Sequence, residues 1–162
     1  MASAEQLAKD GNVRGALLEL RKVIESDPEH APKAHLALGV LFGQRGKLDV
    51  AADHFRRAIQ LDPHDPKAYI NLGVVFAQKG QYERAIDCWK DALRIDPTLS
   101  LARGNLIKTY VIVSDVKSAR AQIRLARRSG CRVDKDALRL VEKMENEGSR
   151  KRNNTGSGEG TE

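Results

Sequence analysis

The side chains that could do acid–base or metal chemistry in this chain are its histidines and cysteines. They stand at His30, His35, His54, His64, Cys88 and Cys131, and their spacing matches neither a zinc site nor a disulfide framework. His35 is expected to fill an aromatic packing position. The carboxylates are scattered, and no nucleophile–base pair stands out. We therefore expect no metal, no cofactor and no catalytic residue.

One stretch, Gly39–Leu48, superficially suggests a phosphate-binding loop. The P-loop pattern G-x-x-x-x-G-K-[ST] requires a glycine five residues before the final glycine, and a hydroxyl side chain after the lysine to hold Mg²⁺. Residue 41 is leucine, and Leu48 follows Lys47, so neither requirement is met. The sequence thus predicts that the protein is not an enzyme.

Composition favours a charge-rich helical protein: 41% of the 162 residues are hydrophobic and 31% are charged. No apolar run approaches the roughly 18 residues that span a bilayer. The first residues lack the basic start and apolar segment of a signal peptide, so we expect a cytoplasmic location, although a trimmed or processed signal sequence would leave the same start. Aromatics make up only 4% of the chain, which argues against specific nucleic-acid recognition.

The elements that must position any binding residue come from an internal repeat. Residues 32–65 align with residues 66–99 at an offset of 34 without a gap, and 14 of the 34 positions are identical. A fixed period of this length is typical of helical arrays, in which each unit buries its apolar face against a neighbour.

Each repeat unit reads as two helices joined by a turn. Tyr69, Leu72 and Phe76 recur at helical spacing before Gly80, which suits a left-handed turn. A second apolar stripe follows and ends at Pro97, because proline cannot continue a helix. The pattern predicts antiparallel helical hairpins stacked on their copies.

The motif Tyr69-x-x-Leu72-Gly73-x-x-Phe76, followed by Ala85-x-x-x-Trp89 and by Pro97, resembles the tetratricopeptide repeat. The resemblance implies an all-α class: an α-solenoid of stacked hairpins with a C-terminal capping helix. The predicted organisation is a repeat domain over 1–147 and a disordered tail at 148–162. The domain comprises a partial repeat at 1–31, repeats at 32–65 and 66–99, a degenerate repeat at 100–133 and the capping helix at 134–147.

Stacked hairpins leave one row of first helices along a groove. At about 100° per residue, one set of positions on each first helix faces away from its partner helix. Its apolar members either contact adjacent first helices or form an exposed stripe for a ligand. The predicted groove contains Lys33, Leu36, Val40, Gln44, Lys67, Ile70, Val74, Gln78 and Lys108.

The resemblance to tetratricopeptide proteins implies that two asparagines also belong to this groove. Asn71 and Asn105 occupy equivalent places, where tetratricopeptide proteins often carry an Asn that hydrogen-bonds a ligand backbone. Ala37 stands at that place in the preceding repeat. The family's clamp for a C-terminal carboxylate needs Lys and Asn where Leu36 and Val40 stand, so an extended or helical apolar peptide suits the groove better.

Positive charge is concentrated late in the chain. Residues 1–102 hold 14 basic and 14 acidic side chains, whereas residues 103–143 hold 11 and 4. Helical spacing aligns four cations in a predicted basic patch: Lys117, Arg120, Arg124 and Arg128. Such a stripe either stays solvated or binds an acidic protein, nucleic acid or an anionic membrane surface.

The sequence therefore predicts an adaptor or scaffold that binds a protein or peptide ligand in its groove. The alternative is an anionic-surface binder that uses the basic helices, with peripheral membrane contact included. Self-association through the groove stays open as well.

Overall fold

The computed structural model describes residues 2–28 and 31–155, which form helices and turns with no strand. The predicted all-α class is confirmed. The chain divides into two compact units, Met1–Pro97 and Thr98–Glu162. The first unit holds α1 (Ala2–Lys9), α2 (Val13–Ser26), α3 (Pro32–Gly43), α4 (Leu48–Leu61), α5 (Pro66–Gln78) and α6 (Tyr82–Ile95), and the second holds α7 (Ser100–Ile112), α8 (Val116–Arg128) and α9 (Lys135–Thr155).

Successive helices pair as hairpins: α1 with α2, α3 with α4, α5 with α6 and α7 with α8. The turn of each hairpin contains one residue in the left-handed region, namely Gly11 (φ 77°), Gly46 (72°), Gly80 (72°) or Ser114 (60°). Glycine adopts this conformation without a steric penalty, and serine at the fourth turn adopts it despite its Cβ.

The two helices of each central hairpin approach closely at a glycine. A Cβ built on Gly39 would lie 2.5 Å from the Phe55 ring, and one on Gly73 would lie 2.5 Å from Trp89 Nε1. At the position equivalent to Gly73, α7 carries Ile107, which is buried. The residue on α8 that is equivalent to Trp89 is Ile123, which is smaller. The larger side chain at position 107 is thus matched by a smaller one at position 123.

Aspartate–proline pairs end α4 and α6, as the repeat predicts. Asp62 and Asp96, the residues after α4 and α6, have extended backbones that Pro63 and Pro97 favour. Pro66 stands in the first turn of α5, where its missing N–H costs no hydrogen bond. These prolines set where α4 and α6 end and where α5 begins.

Ile70 was predicted to line the groove, but in the structure it is buried. Only 7% of this residue is exposed, so it belongs to the core and not to the groove surface. A helical wheel considers α5 alone, whereas in the structure α5 contacts α3, α4 and α6 together. Core packing therefore covers a wider arc of α5 than one partner helix would.

The second unit packs α9 against both α7 and α8, with Ala137 and Val141 buried. Asp134 begins the helix, since its Oδ1 accepts a hydrogen bond from the Asp136 N–H at 3.1 Å. The helix continues to Thr155, eight residues beyond the predicted end at 147. Arg150, Lys151 and Arg152 are good helix formers, but Gly148 and Asn153 are not, so helix propensity alone does not account for this continuation. Residues 156–162 of the predicted tail lie outside the described residues.

Among the helices described, none combines the length and the hydropathy that crossing a bilayer requires.

Candidate functional site

One hollow of the first unit lies between α1 and α3. It has a volume of about 550 Å³, and it is floored by Leu20, Leu36, Val40 and Leu41. Three lysines stand around it, at Lys9, Lys33 and Lys67, and all three are exposed. Glu5 and Asp65 line it as well, so the site is an apolar hollow with a rim of mixed charge.

A second hollow, of about 200 Å³, continues the same surface between α3 and α5. Asn71, Val74 and Gln78 line it from α5. Val40 and Gln44 line both hollows, which makes them one continuous surface. We call this surface the first-helix groove.

The structure therefore brings together most of the predicted groove residues of the first unit. The predicted residues that line one or both hollows are Lys33, Leu36, Val40, Gln44, Lys67, Asn71, Val74 and Gln78. Ile70 lines neither hollow and is buried in the core. Whether any of these side chains contacts a ligand stays a prediction.

The wall contributed by α1 was missed at the sequence level. Glu5, Ala8 and Lys9 line the larger hollow and are equivalent to Val40, Gly43 and Gln44 at an offset of 35. The same offset relates Gly11 to Gly46, so the signal was present. The one-residue insertion before Pro32 accounts for the offset of 35, but the predicted groove included only the first helices after Pro32.

The polar groups at the groove are already partly engaged. Asn71 Nδ2 donates to the backbone carbonyl of Lys67 at 2.9 Å. Asp65 accepts from the Lys67 N–H, also at 2.9 Å, which caps α5. A ligand hydrogen bond to Asn71 would thus use its Oδ1, or would displace the intrahelical bond.

Two predicted groove residues lie on α7, in the second unit. Asn105 is half-buried, and Lys108 is exposed with its Nζ 3.3 Å from Asp134 Oδ2. This ion pair and the hydrogen bond from the Asp136 N–H lower the pKa of Asp134, with the hydrogen bond contributing most.

The predicted basic patch lies on the outer side of α8. Lys117, Arg120, Arg124 and Arg128 are all exposed. Arg120 pairs with Glu145 of α9 at 3.2 Å. The opposite face of α8 buries Ala119, Ile123 and Ala126.

His35, His54 and Cys88 occupy packing positions. His35 and His54 meet between α3 and α4 with their Nδ1 atoms 3.0 Å apart, and burial, the largest cause for each, lowers the pKa of both. Burial also raises the pKa of Cys88 to about 11, so this thiol stays protonated at neutral pH. Within residues 2–28 and 31–155, no three His, Cys, Asp or Glu side chains group as metal ligands.

The sequence model of the tetratricopeptide repeat matches residues 1–66 and again residues 36–100. The chain belongs to the tetratricopeptide repeat family. The predicted family is thus confirmed, and the match extends into the partial repeat that contains α1.

Solved tetratricopeptide repeat structures share the fold. MamA from AMB-1 is 22% identical over 85% of this chain and 74% of its own, with a TM-score of 0.67. MamA from MSR-1 is also 22% identical, over 76% of this chain and 71% of its own, with a TM-score of 0.64. These likenesses confirm the predicted α-solenoid of stacked hairpins.

A third similar structure is the K341M mutant of the Thermobaculum terrenum O-GlcNAc transferase. It is 29% identical over 77% of this chain, with a TM-score of 0.67, but the match spans only 24% of the transferase. A comparison with curated proteins returns no significant match.

Proposed function

We propose that this tetratricopeptide repeat protein is a non-catalytic adaptor whose first-helix groove binds an apolar helix or extended segment of a partner protein. The observation that carries the proposal is the groove itself. Equivalent positions on successive first helices, Val40 and Val74, present apolar side chains between rows of polar ones.

Energetics support this use of the groove. Val74 is 36% exposed, so a ligand that covered it would remove apolar surface from water. Each Å² removed contributes roughly 25 cal/mol before ordering costs. The surrounding lysines and glutamines would fix orientation, as polar rims do in protein interfaces.

The position of Val74 allows a sharp test. Partners are captured from native extract with the wild-type protein and identified by mass spectrometry, and the affinity of the purified partner is then measured by calorimetry. We expect V74E to weaken that affinity at least tenfold, because the carboxylate would be desolvated beneath an apolar ligand.

Val50 on α4 provides the matched control. It is 39% exposed and lies outside both hollows. V50E adds the same charge at similar exposure and should bind the partner like the wild type. Equal losses in V74E and V50E, with both variants folded by circular dichroism, would refute groove binding.

A further inference from the structure

The exposed face of α8 joins cations to an exposed leucine. Five basic residues occur in this 13-residue helix, which contains no Asp or Glu. Lys117, Arg124 and Arg128 follow one stripe about 16 Å long. Leu125, at 44% exposed, lies beside Arg128 on the adjoining part of the helix surface.

Exposed apolar side chains are concentrated in the same unit as the excess charge. Five of the eight large hydrophobic residues exposed in the described chain belong to α7–α9 and the turn after α7: Leu101, Ile112, Val113, Leu125 and Leu140. Residues 103–143 also carry 11 basic and 4 acidic side chains. Cations alone could bind any polyanion. Cations beside an exposed leucine match a partner that has anionic groups at its surface and an apolar layer directly beneath them.

We infer that the outer face of α8 docks on an anionic lipid membrane, with Arg124 and Arg128 at the headgroups and Leu125 in the interface. Arginine forks bind lipid phosphates in a bidentate manner, and a planar membrane needs no defined spacing between contacts. A nucleic-acid backbone would use the arginines but would leave Leu125 without a role. The opposite face of α8 keeps its packing against α7 and α9, so docking needs no unfolding.

The test uses the full chain and vesicle flotation. Vesicles of phosphatidylcholine alone are compared with vesicles containing one-third phosphatidylglycerol, at about 0.05 M and about 0.5 M salt. We expect binding to the anionic vesicles at low salt, and its loss at high salt because the charges are screened. R124E/R128E should lower the partition coefficient at least tenfold, since each interfacial cation contributes a substantial electrostatic attraction.

Two further variants separate this docking from its alternatives. R14E/K90E changes net charge equally at exposed residues of α2 and α6, and should retain most of the binding. L125N leaves the charge unchanged and should lower partitioning severalfold.

Equal losses in R14E/K90E and R124E/R128E would overturn the inference, because net charge alone would then explain binding. An unchanged L125N variant, or binding to a DNA duplex without binding to anionic vesicles, would overturn it as well.

Discussion

At the scale of single residues, close approach of the central hairpin helices depends on two glycines. Gly73 faces the indole of Trp89, whose Nε1 donates to the buried Ile70 carbonyl at 3.2 Å. The indole is held by this hydrogen bond and by burial, so it cannot move aside for a larger residue.

We expect Gly73→Ala to lower the free energy of unfolding by about 1–3 kcal/mol, because the added methyl overpacks the helix interface. Urea denaturation followed by circular dichroism measures the change.

Gly104→Ala is the control for this substitution. Gly104 also lies within a helix, but a Cβ there meets nothing within 4 Å. Alanine should therefore stabilise the protein by about 0.5–1 kcal/mol through helix propensity. If both variants shifted stability in the same direction, close packing would not be the reason for glycine at position 73.

Burial of His35 and His54 at their contact is expected to make stability depend on pH. Burial lowers the pKa of His35 most, followed by the charges of His54 and Arg57. Burial is also the main cause for His54, where Arg21 adds to the lowering and Asp53 opposes it. Both folded-state pKa values lie below the unfolded value, so the unfolded chain binds more protons as pH falls through 6.5.

We therefore expect the free energy of unfolding to decrease from pH 7.5 to pH 5, as measured by urea denaturation at each pH. The H35Y/H54C variant carries the residues of the next hairpin, Tyr69 and Cys88, and should show a flatter profile over this window. An identical slope in both proteins would assign the dependence to other groups.

At the scale of elements, the turn between α7 and α8 is the exception among four equivalent turns. Ser114 adopts φ 60° where the other hairpins use glycine. A residue with a Cβ is strained in this region, whereas glycine is not.

We expect Ser114→Gly to stabilise the protein by about 0.5–1 kcal/mol, and to raise Tm by about 2–4 °C per kcal/mol. Gly80→Ala tests the reverse change, since its φ is +72° and a Cβ there meets no atom within 4 Å. It should lower Tm by a similar amount. A lower Tm for Ser114→Gly would show that the serine side chain outweighs the backbone strain.

Sequence periodicity predicted the central hairpins well because local signals agree there. Gly46 and Gly80 mark the turns, and the prolines mark the helix ends. It did not predict the burial of Ile70, because that burial depends on the packing of α5 against three helices at once. The groove prediction also left out Glu5 and Lys9, because it used only the first helices after Pro32.

At the scale of the whole molecule, the two candidate surfaces belong to different compact units. The apolar hollows lie in the first unit and the cationic face of α8 in the second. Residue types, the repeat and helical spacing predicted both surfaces, but only the three-dimensional arrangement gives the hollow volumes and the exposure of Leu125.

Separate surfaces imply separable activities. V74E should leave vesicle binding unchanged, and R124E/R128E should leave capture of the protein partner unchanged. Measuring both variants in both assays extends the two tests above, and a joint loss in either variant would point to global damage.

Val40 and Gln44 form a wall common to both hollows. Two short peptides, one for each hollow, would therefore compete for this wall instead of binding independently. One longer segment that crossed the wall would gain the contacts of both hollows while losing translational freedom only once. If the proposed ligand binds here, the shared wall would make the groove select for ligand length as well as for sequence.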